Sequence, residues 1–334
     1  MTWLTWRQHR WQLLAAASVL LVIGAFLLVT GVAMASTFKD SGLAACLTAT
    51  PSGCSALAAS WSSQYTGYQF VIPLFLLLPA LIGVFWGGPL ISRDVEQGTH
   101  RMIWMQSVSR ARWLTVKFVS MAVVVIVGSA LFTVALEWWS TPLVAASNDS
   151  RFNLGIFDLL GMVPVAYSLF AFALGAAAGA VIRKTVPAMG ATLVTFAAVR
   201  IGVEVFARPH YEPALTDSYS LASNANVTDA SSLPGTWLVS TETLDKAGHV
   251  VSNGVSLEFN KVLGDCPFLA GPGGTPVNDP AAVQTCIRQA GIHVVASYQP
   301  ASRYWLFQSI EATIFVVLAA ALFAVTFWLV QRRI

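Results

Sequence analysis

The chain has 334 residues, of which 56% are hydrophobic and 10% charged, and its formal net charge is +3. Soluble domains carry about 25% charged residues, so this composition places the chain in a membrane. The slight basic excess gives no support to nucleic-acid binding, and where the basic residues fall matters more than their sum.

The first stretch, "MTWLTWRQHRWQ", sorts its residues when plotted at about 100° per residue. Thr2, Thr5, Gln8, His9 and Gln12 fall on one side, and Trp3, Leu4, Arg7, Arg10 and Trp11 on the other. Arginines mixed with tryptophans suit an amino-terminal interfacial helix whose guanidinium groups reach lipid phosphates. The other reading is an extension of the first membrane span.

Six apolar segments are long enough to cross a hydrocarbon core, which takes about 20 helical residues. They run near Leu13–Ala35, Tyr68–Ile91, Val116–Trp139, Ile156–Val181, Val186–Ala207 and Tyr304–Val330. The first has basic residues before it and "AMAS" after it, as a secretory signal would. Its apolar run is longer than a signal core, so an uncleaved anchor is expected. Orientation follows from the placement of Lys and Arg in short loops. Arg7 and Arg10, then Arg93, Arg101, Arg110, Arg112 and Lys117, then Arg183 and Lys184, then Arg332 and Arg333 all fall on one side. The short loops opposite hold only Lys39 and Arg151. Both termini are therefore expected in the cytoplasm.

The outer loop after the first span, 36–66, contains Cys46 and Cys54, and the long segment 208–303 contains Cys266 and Cys286. Cysteines confined to one side fit an oxidising compartment and predict Cys46–Cys54 and Cys266–Cys286 disulfides. The long segment reads as a small α+β domain inserted between the fifth and sixth spans. Asn253 and Gly254 favour a tight hairpin turn before the alternating Val255, Leu257 and Phe259. Asp279 is placed to cap a helix that Pro280 opens and Gly291 stops, and "IHVVASY" reads as a strand. The expected architecture is a membrane all-α protein: residues 1–207 with five spans, an extracellular domain over 208–303, and a sixth span with a short tail over 304–334.

Catalytic chemistry is missing. The histidines 9, 100, 210, 249 and 293 lie outside the spans, no H-E-x-x-H, C-x-x-C or P-loop occurs, and no metal site or cofactor is expected in this chain. Gly175 and Gly179 resemble a P-loop spacing but lie in the fourth apolar segment, where small residues four apart let a second helix approach closely. Ionisable residues in or near the spans are Glu137, Asp158, Arg200, Glu204 and Glu311. Such charges are costly and tend to pair or to line a polar path. Arg200 and Glu204 are placed to neutralise each other along one helix face. Glu137, Arg200, Glu204 and Glu311 either reach for the outer surface or mark a translocation path.

The polar stretch between the second and third spans, "RDVEQGTHRMIWMQSVSRARW", carries more than topology. Gly98 is placed to end the second helix, Thr99 to cap a short helix bearing Arg101, Met102, Ile103 and Met105, and Ser109 to cap the third. A short amphipathic helix at about 94–112 suits docking into a groove on a cytoplasmic partner, or rest on anionic lipid.

Glu96, Gly98, Thr99, Arg101, Ser107, Val108, Ser109, Arg110, Trp113 and Lys117 follow an order that resembles the stretch after the second transmembrane helix of ABC type 2 exporter permeases. The phrases at Thr2–Arg10 and Tyr298–Glu311 are similar to those that open and close single-module permeases of actinobacteria. Ser107 departs from the proline common there. The resemblance implies a coupling helix, built on Glu96, Gly98, Thr99, Arg101, Met102, Ile103, Met105, Ser109 and Arg110, that contacts a separate ABC ATPase. It further implies two ATPase copies holding ATP and Mg, and a second permease copy or a paralogue in a bacterial plasma membrane. The apolar, aromatic-rich spans suit a hydrophobic or amphipathic cargo such as a lipid, antibiotic or peptide. The alternative is an ABC-type membrane receptor or mechanotransmitter without transport, whose outer domain senses a ligand.

Overall fold

The computed structural model describes residues 2–49, 53–98, 109–147, 150–153, 155–220, 235–253, 285, 288–289 and 291–333. Among them six helices are long and apolar enough to cross a membrane: Ser18–Asp40, Thr66–Glu96, Ala111–Ser147, Val163–Ile182, Thr185–His210 and Ala301–Arg332. The chain is a multi-pass membrane protein, mostly helical, with a small sheet. It divides into two compact units, one helical and one built on the segment between the fifth and sixth spans.

Helix α1 (Thr2–Asp40) runs without a break through the stretch read as a separate interfacial helix. The reason is local: no Gly or Pro stands between Thr2 and Ile23, so nothing interrupts helix propagation. The expected outer loop after it is largely helical as well, with α2 (Leu43–Ala49) and α3 (Ser55–Gln64) joined by the expected Cys46–Cys54 disulfide. Leu43, Cys54 and Trp61 are buried with Met34 of α1 and with Phe132 and Trp139 of the third span. Trp61 Nε1 donates to Thr37 Oγ1 at 3.3 Å, and Trp139 Nε1 donates to Thr30 Oγ1 at 2.8 Å, so each buried indole finds an acceptor.

The second span is broken into short pieces: a 3-10 turn at Thr66–Phe70, α4 (Ile72–Phe75), α5 (Leu78–Ile82), a π turn at Gly83–Gly87, and α6 (Gly88–Glu96). Pro73, Pro79 and Pro89 each stand in the first turn of their piece, where a missing N–H costs nothing but the helix before it must stop. The third span, α7 (Arg110–Ser147), is one helix with Pro142 near its end.

The fourth apolar segment, expected as one helix from Ile156, is two. A single turn, α8 (Ile156–Leu159), is followed by a break and then α9 (Val163–Ile182). Gly161 sits at φ +78°, a region that glycine enters at no steric cost, and Pro164 opens α9. Gln308 of the sixth span closes the break: its Oε1 accepts from the Met162 and Val163 amides at 3.0 Å each, and its Nε2 donates to the Phe157 carbonyl at 2.8 Å. The small residues of α9 do what their spacing predicts. A Cβ on Gly175 would stand 2.2 Å from the Gly83 carbonyl oxygen, and one on Gly179 would stand 2.6 Å from that of Gly88. The second and fourth spans therefore touch backbone to backbone.

The fifth span is α10 (Thr185–Gly202), continued by a π turn at Val203–Ala207 and a 3-10 turn at Arg208–His210. The sixth is α11 (Tyr304–Arg333).

The second unit holds an antiparallel sheet of β1 (Leu215–Ser220), β2 (Trp237–Leu244), β3 (Val250–Asn253) and β4 (His293–Gln299), in the order β1-β4-β2-β3. The strand read in "IHVVASY" is β4, whose Val294 and Ala296 are fully buried. The β2–β3 turn is built on Asp245, whose Oδ1 accepts from the Ala247 and His249 amides at 2.8 Å each. Asn253 ends β3, and Gly254 with the alternating residues after it lies outside the described residues. The predicted helix after Asp279 is described only at 285 and 288–289, all helical, and Gly291 follows at φ +61°. Cys266 and Cys286 lie outside the described residues. Phe152 stacks on Trp237 at 5.9 Å, which fixes residues 150–153 to this unit.

Candidate functional site

Two clusters of polar side chains lie within the helical unit, one near each end of the spans. The first surrounds the polar stretch after the second span. Gly98, at φ +71°, ends the helix that α6 begins, and the Arg112 amide donates to Ser109 Oγ at 3.3 Å, so Ser109 caps α7. Thr99, Arg101, Met102, Ile103 and Met105 lie outside the described residues, as does the Arg110 side chain.

Both flanks of that stretch are tied down. Glu96 Oε2 accepts from the Thr185 amide at 3.0 Å and from Thr185 Oγ1 at 2.7 Å, while Ser92 Oγ donates to Thr185 Oγ1 at 3.2 Å. Thr185 is presented by the turn between α9 and α10, where Arg183 takes a left-handed conformation (φ 59°) and Lys184 is extended. On the other flank Lys117 forms an ion pair with Asp94, donates to the Leu90 carbonyl at 3.3 Å and stands 4.9 Å over the Trp113 ring. Lys117 is buried, and burial of a cation is tolerated because a carboxylate and a carbonyl meet it. Glu96 and Lys117 were legible in the sequence as part of the stretch. Their pairing with Thr185 and Asp94 was not, since pairing across 89 and 23 residues leaves no local signal.

The second cluster is buried. Arg208 Nε donates to Glu311 Oε2 at 2.9 Å, and its Nη2 donates to Glu311 Oε1 at 2.8 Å and to Asp158 Oδ1 at 2.6 Å. Arg200 Nη2 donates to Asp158 Oδ2 at 2.8 Å. Tyr167 OH lies between the two carboxylates, donating to Glu311 and 3.1 Å from Asp158 Oδ1. Two carboxylates and two guanidinium groups thus balance in charge, and they join α8, α9, the end of the fifth span and α11. Arg200 pairs with Asp158, not with Glu204 as read from their spacing. Each charge gains more from a partner on another element that is also desolvated than from a half-exposed neighbour. Glu204 takes part in no ion pair among the described residues. Arg208 and Tyr167 are the members that sequence reading missed. The signal available was the spacing of Arg200, Glu204 and Arg208, four apart along one helix face.

Glu137 belongs to neither cluster. It lies on α7 in the lining of an open groove of about 680 Å³ formed with Met162, Val165, Leu169, Trp305 and Val316. Among the described residues no group of three or more His, Cys, Asp or Glu side chains is arranged to hold a metal ion.

Comparison with known proteins adds one match. The family model described as ABC-2 membrane transporter related matches residues 17–208, which is the first span through Arg208. Neither the curated proteins nor the solved structures returned a match.

Proposed function

The chain belongs to the ABC-2 membrane transporter related family, and from that premise we propose that it is the permease of an exporter whose ATPase acts on the stretch at about 94–112. Membership makes it a membrane subunit of an ABC transporter that works with a separate ABC ATPase. In the proposed assembly two ATPase copies hold ATP and Mg below two permeases, the second being a copy of this chain or a paralogue. The basic loops and both termini face the cytoplasm, and a hydrophobic or amphipathic cargo leaves outward.

The observation that carries the reading is the tie between Glu96 and Thr185, paired with that between Asp94 and Lys117. The end of the second span, tied through Glu96 to the fifth span and through Asp94 to the third, passes a push from below into the bundle. ATP binds a closed ATPase dimer better than an open one, and only such differential affinity shifts a coupled membrane part between states.

The test is co-expression with the cognate ATPase and reconstitution. The wild type co-purifies with an ATPase and moves cargo when ATP is supplied. Arg101→Glu reaches normal expression but loses transport. Failure to retain any ATPase would contradict the reading, whereas an ATPase that binds and hydrolyses ATP with no cargo moved would favour an ABC-type receptor or mechanotransmitter built around the sheet unit.

A further inference from the structure

The third and sixth spans run antiparallel, and the seam between them opens into a groove near each end. At one end Phe118, Val119 and Ala122 of α7 face Phe323, Phe327 and Trp328 of α11 around a groove of about 530 Å³, and among the described residues no ionisable one lines it. At the other, the 680 Å³ groove is lined by the same two helices and α9, and it contains Glu137. Both volumes are in the range that takes a drug-sized molecule. The lining of each is apolar, as an acyl chain would require. The carboxylate is what separates them.

A charge beside membrane-depth apolar surface is costly and is kept where it meets a partner or a ligand. The carboxylates of Asp158 and Glu311 meet two arginines, but no ion pair among the described residues reaches Glu137. The break at Gly161–Met162 forms part of the groove's lining, and Trp305, half exposed, supplies an aromatic face on the opposite wall. An anionic group, apolar walls and an indole together match a hydrophobic cation, which gains from the carboxylate and from the ring face.

We propose that the groove at Glu137 binds a hydrophobic monocation of drug-like size, and that this is the cargo class of the transporter. The cargo assignment rests on the permease reading above; the binding site does not. Glu137 is the residue that selects charge, and the aromatic and aliphatic walls select size.

Tetraphenylphosphonium and tetraphenylborate have nearly the same size and hydrophobicity and opposite charge, so they isolate the contribution of Glu137. The full chain in nanodiscs of neutral lipid should bind tetraphenylphosphonium saturably, about tenfold more weakly in Glu137→Gln, with Glu137→Asp restoring most of the affinity. Tetraphenylborate, which the carboxylate repels, should bind weakly to the wild type and more tightly to Glu137→Gln. Ala312→Trp, which fills this groove, should block the cation, whereas Ala324→Trp in the uncharged groove should not. No saturable cation binding, an unchanged Glu137→Gln, or equal behaviour of the two ions would overturn the proposal and leave the groove to lipid chains. Loss of binding with ATPase association intact sinks this inference alone, and absence of any ATPase partner sinks the permease reading while leaving the binding result standing.

Discussion

The helical unit is held differently at its two ends. Around Arg208, a buried arginine, two buried carboxylates and a buried tyrosine pair with one another across the spans, and the partly buried Arg200 joins them through one hydrogen bond to Asp158. Around Thr185, an exposed Glu96 and a single Asp94–Lys117 pair brace the stretch between the second and third spans. Burial makes a missing partner expensive around Arg208 and at the Asp94–Lys117 pair, whereas water can replace a partner at the exposed Glu96–Thr185 tie. The first arrangement suits a joint that stays shut in this conformation. The second, an exposed tie beside a buried one, is the joint that the proposed ATPase would load.

The largest effect should follow from breaking the buried end. Arg208→Ala leaves Glu311 and part of Asp158 without a counter-charge in a dry site, and stability measured by thermal unfolding in detergent should fall by about 3–5 kcal/mol. Arg200→Ala should cost less, because Arg200 Nε is buried with no acceptor and a single hydrogen bond reaches Asp158. Equal losses would break the account of the cluster. An intermediate effect is expected where the two ends are joined by the crossing of the second and fourth spans. Gly175→Ala puts a methyl group against the Gly83 carbonyl and should destabilise by about 1–3 kcal/mol through overpacking, read in the same assay. No loss there would mean that the spans are not in backbone contact.

The smallest effect lies away from both ends, in the β2–β3 turn. The His249 backbone amide, the largest influence, together with its ring and the Ala247 amide, holds the exposed Asp245 carboxyl below its ordinary value. A depressed value in the fold means that the turn is favoured above the usual aspartate range and loses that support as the pH falls through the lowered value. A fall in the hydrogen-exchange protection factors of the Ala247 and His249 amides on acidification, after correction for the intrinsic rate, should report it, and Asp245→Asn should remove that fall.

Much of the helical unit was legible because a membrane span announces itself by length and composition alone. The Cys46–Cys54 disulfide, the close packing at Gly175 and Gly179 and the cap at Ser109 were legible too, since each depends on residues near in sequence or on a motif with a direct steric meaning. What escaped were features decided at long range. The break in the fourth segment depends on Gln308 meeting the amides of Met162 and Val163, 146 and 145 residues away. Arg200 and Glu204 were paired by spacing, but Asp158, 42 residues away, won the guanidinium. The sheet was read at β4, where buried and half-buried residues alternate. It was missed at β1, "LTDSYS", whose polar residues give no period-two apolar pattern.

The central claim is that an ATPase drives this chain through the stretch braced by Glu96 and Thr185. The most direct test is the ratio of cargo moved to ATP hydrolysed by the reconstituted complex, compared between wild type and Thr185→Val, which removes the hydroxyl that holds Glu96 but leaves the backbone amide. The account predicts hydrolysis close to wild type with transport reduced several-fold. Transport and hydrolysis that stay in the wild-type ratio would contradict it.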